Sequence, residues 1–295
     1  MTIFDLLKNP SYKNKGVLEK LICHRLEIEK QTLFTHADRA IVSDDLQRIE
    51  HAYKQYNEEK QPLEYILWHV QFAWITFHVS PATLIPRPET EYMIEAVREE
   101  VTKRKAQSTK WQNNSIHLLD IGTGCGVLWL STLYHHHEQI NQAILTDLST
   151  DALAIAQQNY DNLSSEIGDR KSEIVFKQSN LLEDPLIKHI LLWTNDVILV
   201  ANLPYIPNDL FEQNTDDTVK KWEPKMAFVG GDDGLDLYRQ MFDQLLDIWR
   251  PDMIMFLEMM TRQVELLRKE YEKHFSFEEV KTFHFNIRIV KTQFE

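Results

Sequence analysis

The protein has 295 residues, of which 43% are hydrophobic and 26% are charged, and its formal net charge is -13. This is the composition of an ordinary globular protein with one large or two modest domains, long enough to bury a sizeable core without disulfide or metal support. The acidic charge disfavours a general nucleic-acid binder, and the lack of a long apolar run disfavours a membrane span or secretion. Two cysteines fit a reducing compartment, so we expect a cytoplasmic protein.

The first 70 residues have a helical pattern. Apolar side chains recur at helical spacing while the positions between them are polar, and β-branched runs are missing. The recurring residues are Leu18, Leu21, Ile22 and Leu26, and then Leu46, Ile49 and Tyr53. We therefore predict a small helical domain that Pro62 closes.

A hairpin and then a long helix are predicted next. Val70–Val79 is rich in aromatic and β-branched residues with loose alternation, which favours a strand or hairpin. A helix is expected to begin at Pro88 or Glu89, because proline and acidic residues suit a first turn, and to run to about Lys105. The polar residues 106–115 should form a surface loop.

From Ile116 onwards, predicted strands and helices alternate, which favours a parallel doubly wound α/β sheet. Ser149 is expected to cap the helix that follows the second strand. The three consecutive histidines at 135–137 are interpreted as a solvated loop and not as a metal site. The predicted strands are Ile116–Asp120, Ala143–Asp147, Ile174–Gln178, Val197–Ala201, Met253–Glu258, Glu278–Phe285 and Ile287–Phe294, and the predicted helices are Val127–Tyr134, Thr150–Tyr160, Leu235–Trp249 and Thr261–Lys273.

Six of the eight glycines fall in two short segments, 122–126 and 230–234, which marks two special loops. The first, Asp120-Ile121-Gly122-Thr123-Gly124-Cys125-Gly126, follows a predicted strand and opens a helix, the setting of a nucleotide-binding loop. Asp147 ends the next strand, where a carboxylate can accept hydrogen bonds from ribose. The Gly-x-Gly-x-Gly spacing and the acidic Asp120 favour S-adenosylmethionine as the cofactor. A dinucleotide is the alternative that the loop alone does not exclude. Cys125 is interpreted as a small filler beside the ligand.

Asn202-Leu203-Pro204-Tyr205 follows the fourth strand, at the edge where open α/β sheets bind ligands. The segment resembles the motif of amino-group methyltransferases. A planar NH2 group donates two hydrogen bonds, which the Asn202 side-chain oxygen and the Leu203 carbonyl can accept while Tyr205 packs on the plane. Such an arrangement catalyses mainly by positioning. An ordinary strand-to-turn exit is the alternative.

Further segments narrow the resemblance to the protein glutamine methyltransferases that act on peptide chain release factors. Besides the two motifs above, these segments are Pro62-Leu63-Glu64-Tyr65-Ile66, Leu84-Ile85-Pro86-Arg87-Pro88-Glu89-Thr90-Glu91, Glu223-Pro224 and Gly230-Gly231-Asp232-Asp233-Gly234-Leu235. The resemblance covers roughly residues 60–295. The string from Ile85 to Glu91 best separates this family from the rRNA adenine dimethylases, which share Asn-Leu-Pro-Tyr but lack this string.

The resemblance implies a helical, partner-binding domain at residues 1–70, a β-hairpin linker at 71–87 and a seven-stranded Rossmann-like methyltransferase domain at 88–295. It also implies methyl transfer from S-adenosylmethionine to the glutamine amide of the release factor's Gly-Gly-Gln motif, with no metal and no direct contact with nucleic acid or membrane. The implied cofactor-binding residues are Gly122, Thr123, Gly124, Cys125, Gly126, Asp147, Asn180, Leu181 and Asn202. The implied catalytic residues are Asn202, Leu203, Pro204 and Tyr205.

Several positions depart from the family pattern. Leu203 replaces the usual first proline and Asn180-Leu181 stands where an acid and a bulky residue are common, while the C-terminal Asp-Leu-x-Gly segment is absent and Arg288 remains. Glu89 and Glu91 are candidates to line the pocket. Alternative functions are a ribosomal-protein glutamine methyltransferase, a nucleic-acid adenine methyltransferase, or a non-catalytic cofactor-binding factor.

Overall fold

The computed structural model describes residues 1–107, 116–136, 140–164, 172–248, 250, 253–283 and 286–295. The chain forms two compact units, Met1–His69 and Val70–Glu295. Within the described ranges, no helix combines the length and the apolar character needed to cross a membrane. Most of the predicted 106–115 loop, from residue 108 onwards, and His137 of the histidine run lie outside the described residues.

The first unit is helical, as the sequence pattern predicts. Its apolar positions on α2 and α3 pack together: Leu18, Ile22 and Ile49 are each at most 1% exposed. Pro62 does not close this region, because it is the N-cap of one more short helix, where a residue without an N–H costs nothing. The helices are α1 (Ile3–Lys8), α2 (Lys15–Leu26), a 3-10 helix (Lys30–His36), α3 (Ser43–Asn57) and α4 (Leu63–Leu67).

The predicted hairpin forms from β1 (His69–Phe72) and β2 (Ile75–His78). Its turn residues Ala73 and Trp74 both have positive φ values, 47° and 68°, as a two-residue hairpin turn demands. The Trp74 side chain is fully exposed at the tip.

The second unit is built on a seven-stranded sheet in the order β5-β4-β3-β6-β7-β9-β8. The first five strands run parallel, whereas β9 pairs antiparallel with both β7 and β8. The sheet is therefore mostly parallel with one antiparallel strand, β9, and its seven strands confirm the predicted fold class. The strands are β3 (Ile116–Ile121), β4 (Ile140–Asp147), β5 (Glu173–Gln178), β6 (Val197–Ala201), β7 (Ile254–Met260), β8 (Phe275–Phe283) and β9 (Ile287–Phe294).

Buried parallel strands consist of nearly continuous apolar residues because both of their faces are covered. All five residues of β6 are buried, and the sequence predicted its bounds. The described helices of this unit are α5 (Thr90–Gln107), α6 (Val127–His136), α7 (Thr150–Ser164), α8 (Pro185–Trp193), α9 (Asn208–Asn214), α10 (Asp217–Trp222), a 3-10 helix (Lys225–Ala227), α11 (Asp236–Leu246) and α12 (Thr261–Tyr271).

Three of these helices, α8, α9 and α10, were missed at the sequence level. Asp184 caps α8, since its side chain accepts a hydrogen bond from the Leu186 N–H, and Pro185 begins the helix. The histidine interpretation is also corrected: His135 and His136 form the last turn of α6 instead of a loop. Ser149 accepts a hydrogen bond from the Ala152 N–H at 3.2 Å, which confirms its role as a helix cap.

Candidate active site

A cavity opens at the carboxyl ends of the parallel strands, where this kind of sheet binds ligands. It brings together most of the predicted site residues from four separate segments of the chain. Of the implied cofactor-binding and catalytic residues, Gly126 and Tyr205 do not line it. The predicted residues in its wall are Gly122, Thr123, Gly124, Cys125, Asp147, Asn180, Leu181, Asn202, Leu203 and Pro204.

The first glycine loop joins β3 to α6 and forms one wall. Gly124 has a φ of +56°, which favours glycine, and a Cβ atom there would meet nothing within 4 Å. The loop backbone is thus open to close approach by a ligand. Gly126 lies outside the cavity, where a Cβ atom would stand 3.0 Å from Leu130 Cδ1 and 3.4 Å from Ala156 Cβ.

Two carboxyl groups lie under and beside this loop. Asp147 accepts hydrogen bonds from the Gly124 and Ser149 N–H groups, both at 2.9 Å, and burial raises its pKa. Asp120 is completely buried, accepts a hydrogen bond from Thr123 Oγ1 at 2.7 Å, and does not line the cavity. Burial raises the pKa of Asp120 to about 7. Asp147, which is half-buried, is therefore the one of these two carboxyl groups that lines the cavity.

Cys125 lies in the wall with 3% of its surface exposed. Burial raises the pKa of its thiol to about 12, so the group stays protonated at neutral pH. A protonated, buried thiol is a poor nucleophile. The geometry agrees with the interpretation of Cys125 as a small wall residue.

The Asn180 amide group is oriented by its neighbour. Its Nδ2 donates to Glu183 Oε1 at 2.9 Å, which leaves Oδ1 as the atom that can accept a hydrogen bond in the cavity. Leu181 has a positive φ of 52°, an uncommon conformation for a side-chain-bearing residue that local packing must hold.

The Asn-Leu-Pro-Tyr segment leaves β6 at the floor of the cavity. Asn202 Nδ2 donates to Thr90 Oγ1 at 3.1 Å. The Leu203 N–H donates to the Tyr238 hydroxyl at 3.2 Å, and the Leu203 side chain packs so that a Cβ atom at Gly122 would stand 3.0 Å away. The leucine that replaces a proline thus makes a backbone hydrogen bond that proline lacks.

Glu258 is the buried centre of this region. It lies on β7, is 1% exposed, and accepts hydrogen bonds from the hydroxyls of Thr90 at 3.0 Å and Tyr205 at 2.9 Å. Burial raises the pKa of Glu258 to about 7, while the bonds from Tyr205 and Thr90 oppose that shift. Tyr205 is held by this bond beside the cavity and not in its wall.

No family model matches this chain. Several known proteins are nonetheless similar over most of its length. A release factor glutamine methyltransferase from Clostridium acetobutylicum is 30% identical over 231 residues, covering 78% of this chain and 73% of that protein. One from Synechocystis sp. is 31% identical over 261 residues, covering 86% and 81% respectively. The chain belongs to the release factor glutamine methyltransferase family.

This membership confirms the resemblance and the class of enzyme that the sequence predicts. The fold is also that of methyltransferases. The crystal structure of the catalytic domain of hMettl16, in complex with a MAT2A 3'UTR hairpin, matches with a TM-score of 0.51 at 11% identity, covering 85% of this chain and 81% of that one. At this identity the match concerns the fold alone.

The discriminating string Ile85–Glu91 now has a structural explanation. The Ile85 N–H donates to Glu223 Oε2 at 3.0 Å, and Arg87 Nη2 bonds the other carboxylate oxygen at 2.6 Å. Two segments of the family pattern that are distant in sequence therefore meet at one buried carboxylate. Glu91, a candidate for the pocket, instead accepts a hydrogen bond from the Ala73 N–H at the hairpin turn, and Glu89 does not line the cavity.

The second glycine loop packs against the Asn-Leu-Pro-Tyr backbone. A Cβ atom at Gly230 would overlap the Pro204 carbonyl oxygen, and one at Gly234 would overlap that of Tyr205. Gln263 Nε2 donates to that same Tyr205 oxygen at 2.6 Å and to Asp233 O at 2.9 Å. This loop does not line the cavity and instead packs against the backbone of the motif, which it therefore supports.

Sequence reasoning missed Thr90, Glu258 and Gln263 as functional candidates. A signal for Glu258 was present, because a lone carboxylate inside the apolar run from Ile254 to Met260 is expensive to bury without a purpose. Arg288, which remains where the family's C-terminal Asp-Leu-x-Gly segment is absent, donates a hydrogen bond from Nε to Glu279 Oε2 at 2.8 Å on the neighbouring strand β8. In the part of the chain that the structure describes, no His, Cys, Asp or Glu cluster could hold a metal ion.

Proposed function

We propose that this protein transfers a methyl group from S-adenosylmethionine to the side-chain amide nitrogen of the glutamine in the Gly-Gly-Gln motif of peptide chain release factors. The observation that carries the proposal is the Asn202 carboxamide, held in the cavity wall with its NH2 group already bonded to Thr90. Its oxygen is left to accept a hydrogen bond, and a primary amide is a group that can donate one.

The cavity suits a cofactor with a positive charge and no phosphate. Its glycine loop is open to close approach, and the Asp147 carboxylate lies beside it, which favours a cation or ribose hydroxyls over a pyrophosphate. Asn180 presents a free amide oxygen, an acceptor for an exocyclic amine. When bound, S-adenosylmethionine supplies an electrophilic methyl group.

The chain's own residues act by binding and orienting. Asn202 Oδ1 and the Leu203 carbonyl oxygen would each accept one hydrogen of the glutamine NH2 and so fix the nitrogen in the cavity. An amide nitrogen is a weak nucleophile because its lone pair is delocalised into the carbonyl, so fixing its direction is a large part of the catalysis. The N-terminal unit Met1–His69 is assigned to binding the release factor, as the family resemblance implies.

Methyl transfer from labelled S-adenosylmethionine to a purified release factor, followed by peptide mapping, tests the proposal. We expect the label on the glutamine of the Gly-Gly-Gln motif, and we expect none when that glutamine is replaced by asparagine. Label on ribosomal protein or on RNA would instead identify one of the alternative substrates and contradict the proposal.

A further inference from the structure

We infer that Thr90, backed by Glu258, is a positioning residue that sets which atom of the Asn202 carboxamide faces the bound glutamine. The inference rests on the proposed function. Thr90 is the first residue of α5, is 3% exposed and lines the cavity, and it lies between the other two groups. Its hydroxyl contacts Glu258 Oε2 at 3.0 Å and Asn202 Nδ2 at 3.1 Å.

The protons and lone pairs available on Glu258, Thr90 and Asn202 determine which of these groups donates each hydrogen bond. A carboxylate only accepts, whereas a threonine hydroxyl carries one proton and two lone pairs. The Thr90 proton is therefore donated to Glu258, and the Thr90 oxygen can only accept from Asn202. The Asn202 NH2 group must face Thr90, which leaves Oδ1 as the atom that receives the substrate.

The alternative orientation would oppose binding of the glutamine. If the Asn202 amide were turned over, its NH2 group would meet the NH2 group of the substrate, and two donors would face each other without an acceptor. One hydrogen bond would be lost and a buried donor left unpaired, a cost that corresponds to roughly 10-fold or more in rate. Thr90 opposes this rotation, together with Glu258, whose carboxylate is itself close enough to hydrogen-bond the Asn202 side chain.

Protonation of Glu258 would release the constraint. A protonated carboxyl can donate to Thr90, whose own proton is then free to point at Asn202. The charged and titratable groups that face Glu258 are Glu89, which precedes α5, Tyr205 after β6, and Tyr238 on α11. With the pKa of Glu258 raised to about 7 by burial, the constraint strengthens as the pH rises through neutrality.

The test replaces Thr90 with valine, which keeps the shape and removes the hydroxyl, and with serine, which keeps the hydroxyl. With S-adenosylmethionine and a purified release factor, we expect Thr90→Val to lower kcat about 10-fold or more. The cofactor Kd should change little, and the melting temperature should fall modestly in Thr90→Val because Glu258 loses one of its buried hydrogen bonds. Thr90→Ser should restore most of the native kcat.

Thr132→Val is the matched control, since it removes another buried threonine hydroxyl, one that donates to the Leu128 carbonyl oxygen within α6 and lies outside the cavity. Its kcat should equal that of the native protein. A native kcat in Thr90→Val, or a loss in Thr90→Ser as large as in Thr90→Val, would overturn the inference. Failure of the native protein to methylate the release factor would instead refute the proposed function.

The pH profile supplies a readout that a purely structural role would not change. We expect the native kcat to rise with pH through about 7, and we expect Glu258→Gln and Thr90→Val each to flatten that rise. A rise that persists unchanged in both variants would belong to another group and would overturn the role of Glu258.

Discussion

The two units of the chain treat polar groups in opposite ways. The core of Met1–His69 is apolar, with only tyrosine hydroxyls among its buried side chains. In Val70–Glu295, as far as the structure describes it, buried polar and charged side chains include Asp120, Glu223 and Glu258. Burying such groups without a partner costs several kcal/mol, a cost that hydrogen bonds offset at Glu223 and Glu258. The buried polar groups that could take part in catalysis therefore lie in the second unit. The core of the first unit is the apolar packing of an ordinary small helical bundle.

The largest expected effect is on turnover when Asn202 is changed. Asn202→Ala removes the amide oxygen that orients the substrate, and a misplaced reacting group costs about 100-fold in rate. The cofactor Kd should change much less, which equilibrium binding can check. The control is Asn208→Ala, at the first residue of α9, whose side chain bonds exposed Asp232. Turnover of Asn202→Ala at the native level would remove the positioning role.

The next largest effect is on cofactor affinity. Asp147→Ala removes the carboxylate that contacts the glycine loop and lines the cavity, and hydrogen bonds to a charged group contribute about 1.5–3 kcal/mol. We expect the S-adenosylmethionine Kd to rise by about 10-fold or more, as measured by calorimetry. Asp151→Ala, an exposed change in the first turn of α7, should leave Kd unaltered. Equal Kd values for both variants would exclude Asp147 from binding.

The free energy of unfolding should depend on pH through two buried carboxyl groups, both of which lie in the second unit. The pKa values of Asp120 and Glu258 are both raised to about 7 by burial, above the ordinary values of 3.8 and 4.5. The folded protein therefore binds protons more tightly than the unfolded chain between these limits. Stability from these groups is fully present below pH of about 4 and declines as the pH rises through 7, by an amount on the order of a few kcal/mol.

Denaturant unfolding from pH 5 to 8 can measure this decline. Asp120→Asn should make the curve flatter, because the variant no longer has a carboxyl group to ionise there. A stability curve that rises with pH in the native protein would contradict the raised pKa values.

The smallest expected effect concerns the departure from the family motif. Leu203→Pro removes the N–H that donates to Tyr238, and it also removes a buried side chain that is only 3% exposed. We expect a loss of about 1 kcal/mol in the free energy of unfolding, with turnover within a few-fold of native. Tyr238→Phe removes the acceptor but also the hydroxyl that donates to the Glu258 main-chain oxygen, so it should cost further stability, and the loss in the double variant should be smaller than the sum of the two single losses. Additive losses would mean that the hydrogen bond contributes nothing.

Contiguous patterns could be predicted from the sequence, and contacts between distant segments could not. The bounds of β6 follow from an unbroken apolar run, and the first glycine loop follows from its place between a strand and a helix. The Thr90–Glu258 contact joins residues 168 positions apart and leaves no local trace. Only the topology, which places β7 next to β6, brings Glu258 under Asn202.

Short helices were the weakest part of the sequence-based prediction. α9 and α10 have seven and six residues, too few for a helical period to emerge from a polar background. The cap of α10 carries the signal instead, since the Asp216 side chain accepts a hydrogen bond from the Thr218 N–H at 2.7 Å, whereas Pro207 at the start of α9 makes no side-chain cap bond. The sequence pattern predicts a terminator at Pro62, but proline is equally suited to the start of the next helix, and Pro62 is the N-cap of α4.

The loop Gly230–Gly234 has a consequence for protein engineering. Because its backbone lies directly against the carbonyl groups of Pro204 and Tyr205, the four-residue motif is not an independent module. Transplanting Asn-Leu-Pro-Tyr onto another scaffold would give an unsupported turn unless the glycine segment were carried with it. A selection for new amide-methylating enzymes should therefore diversify the surrounding walls and keep both segments together.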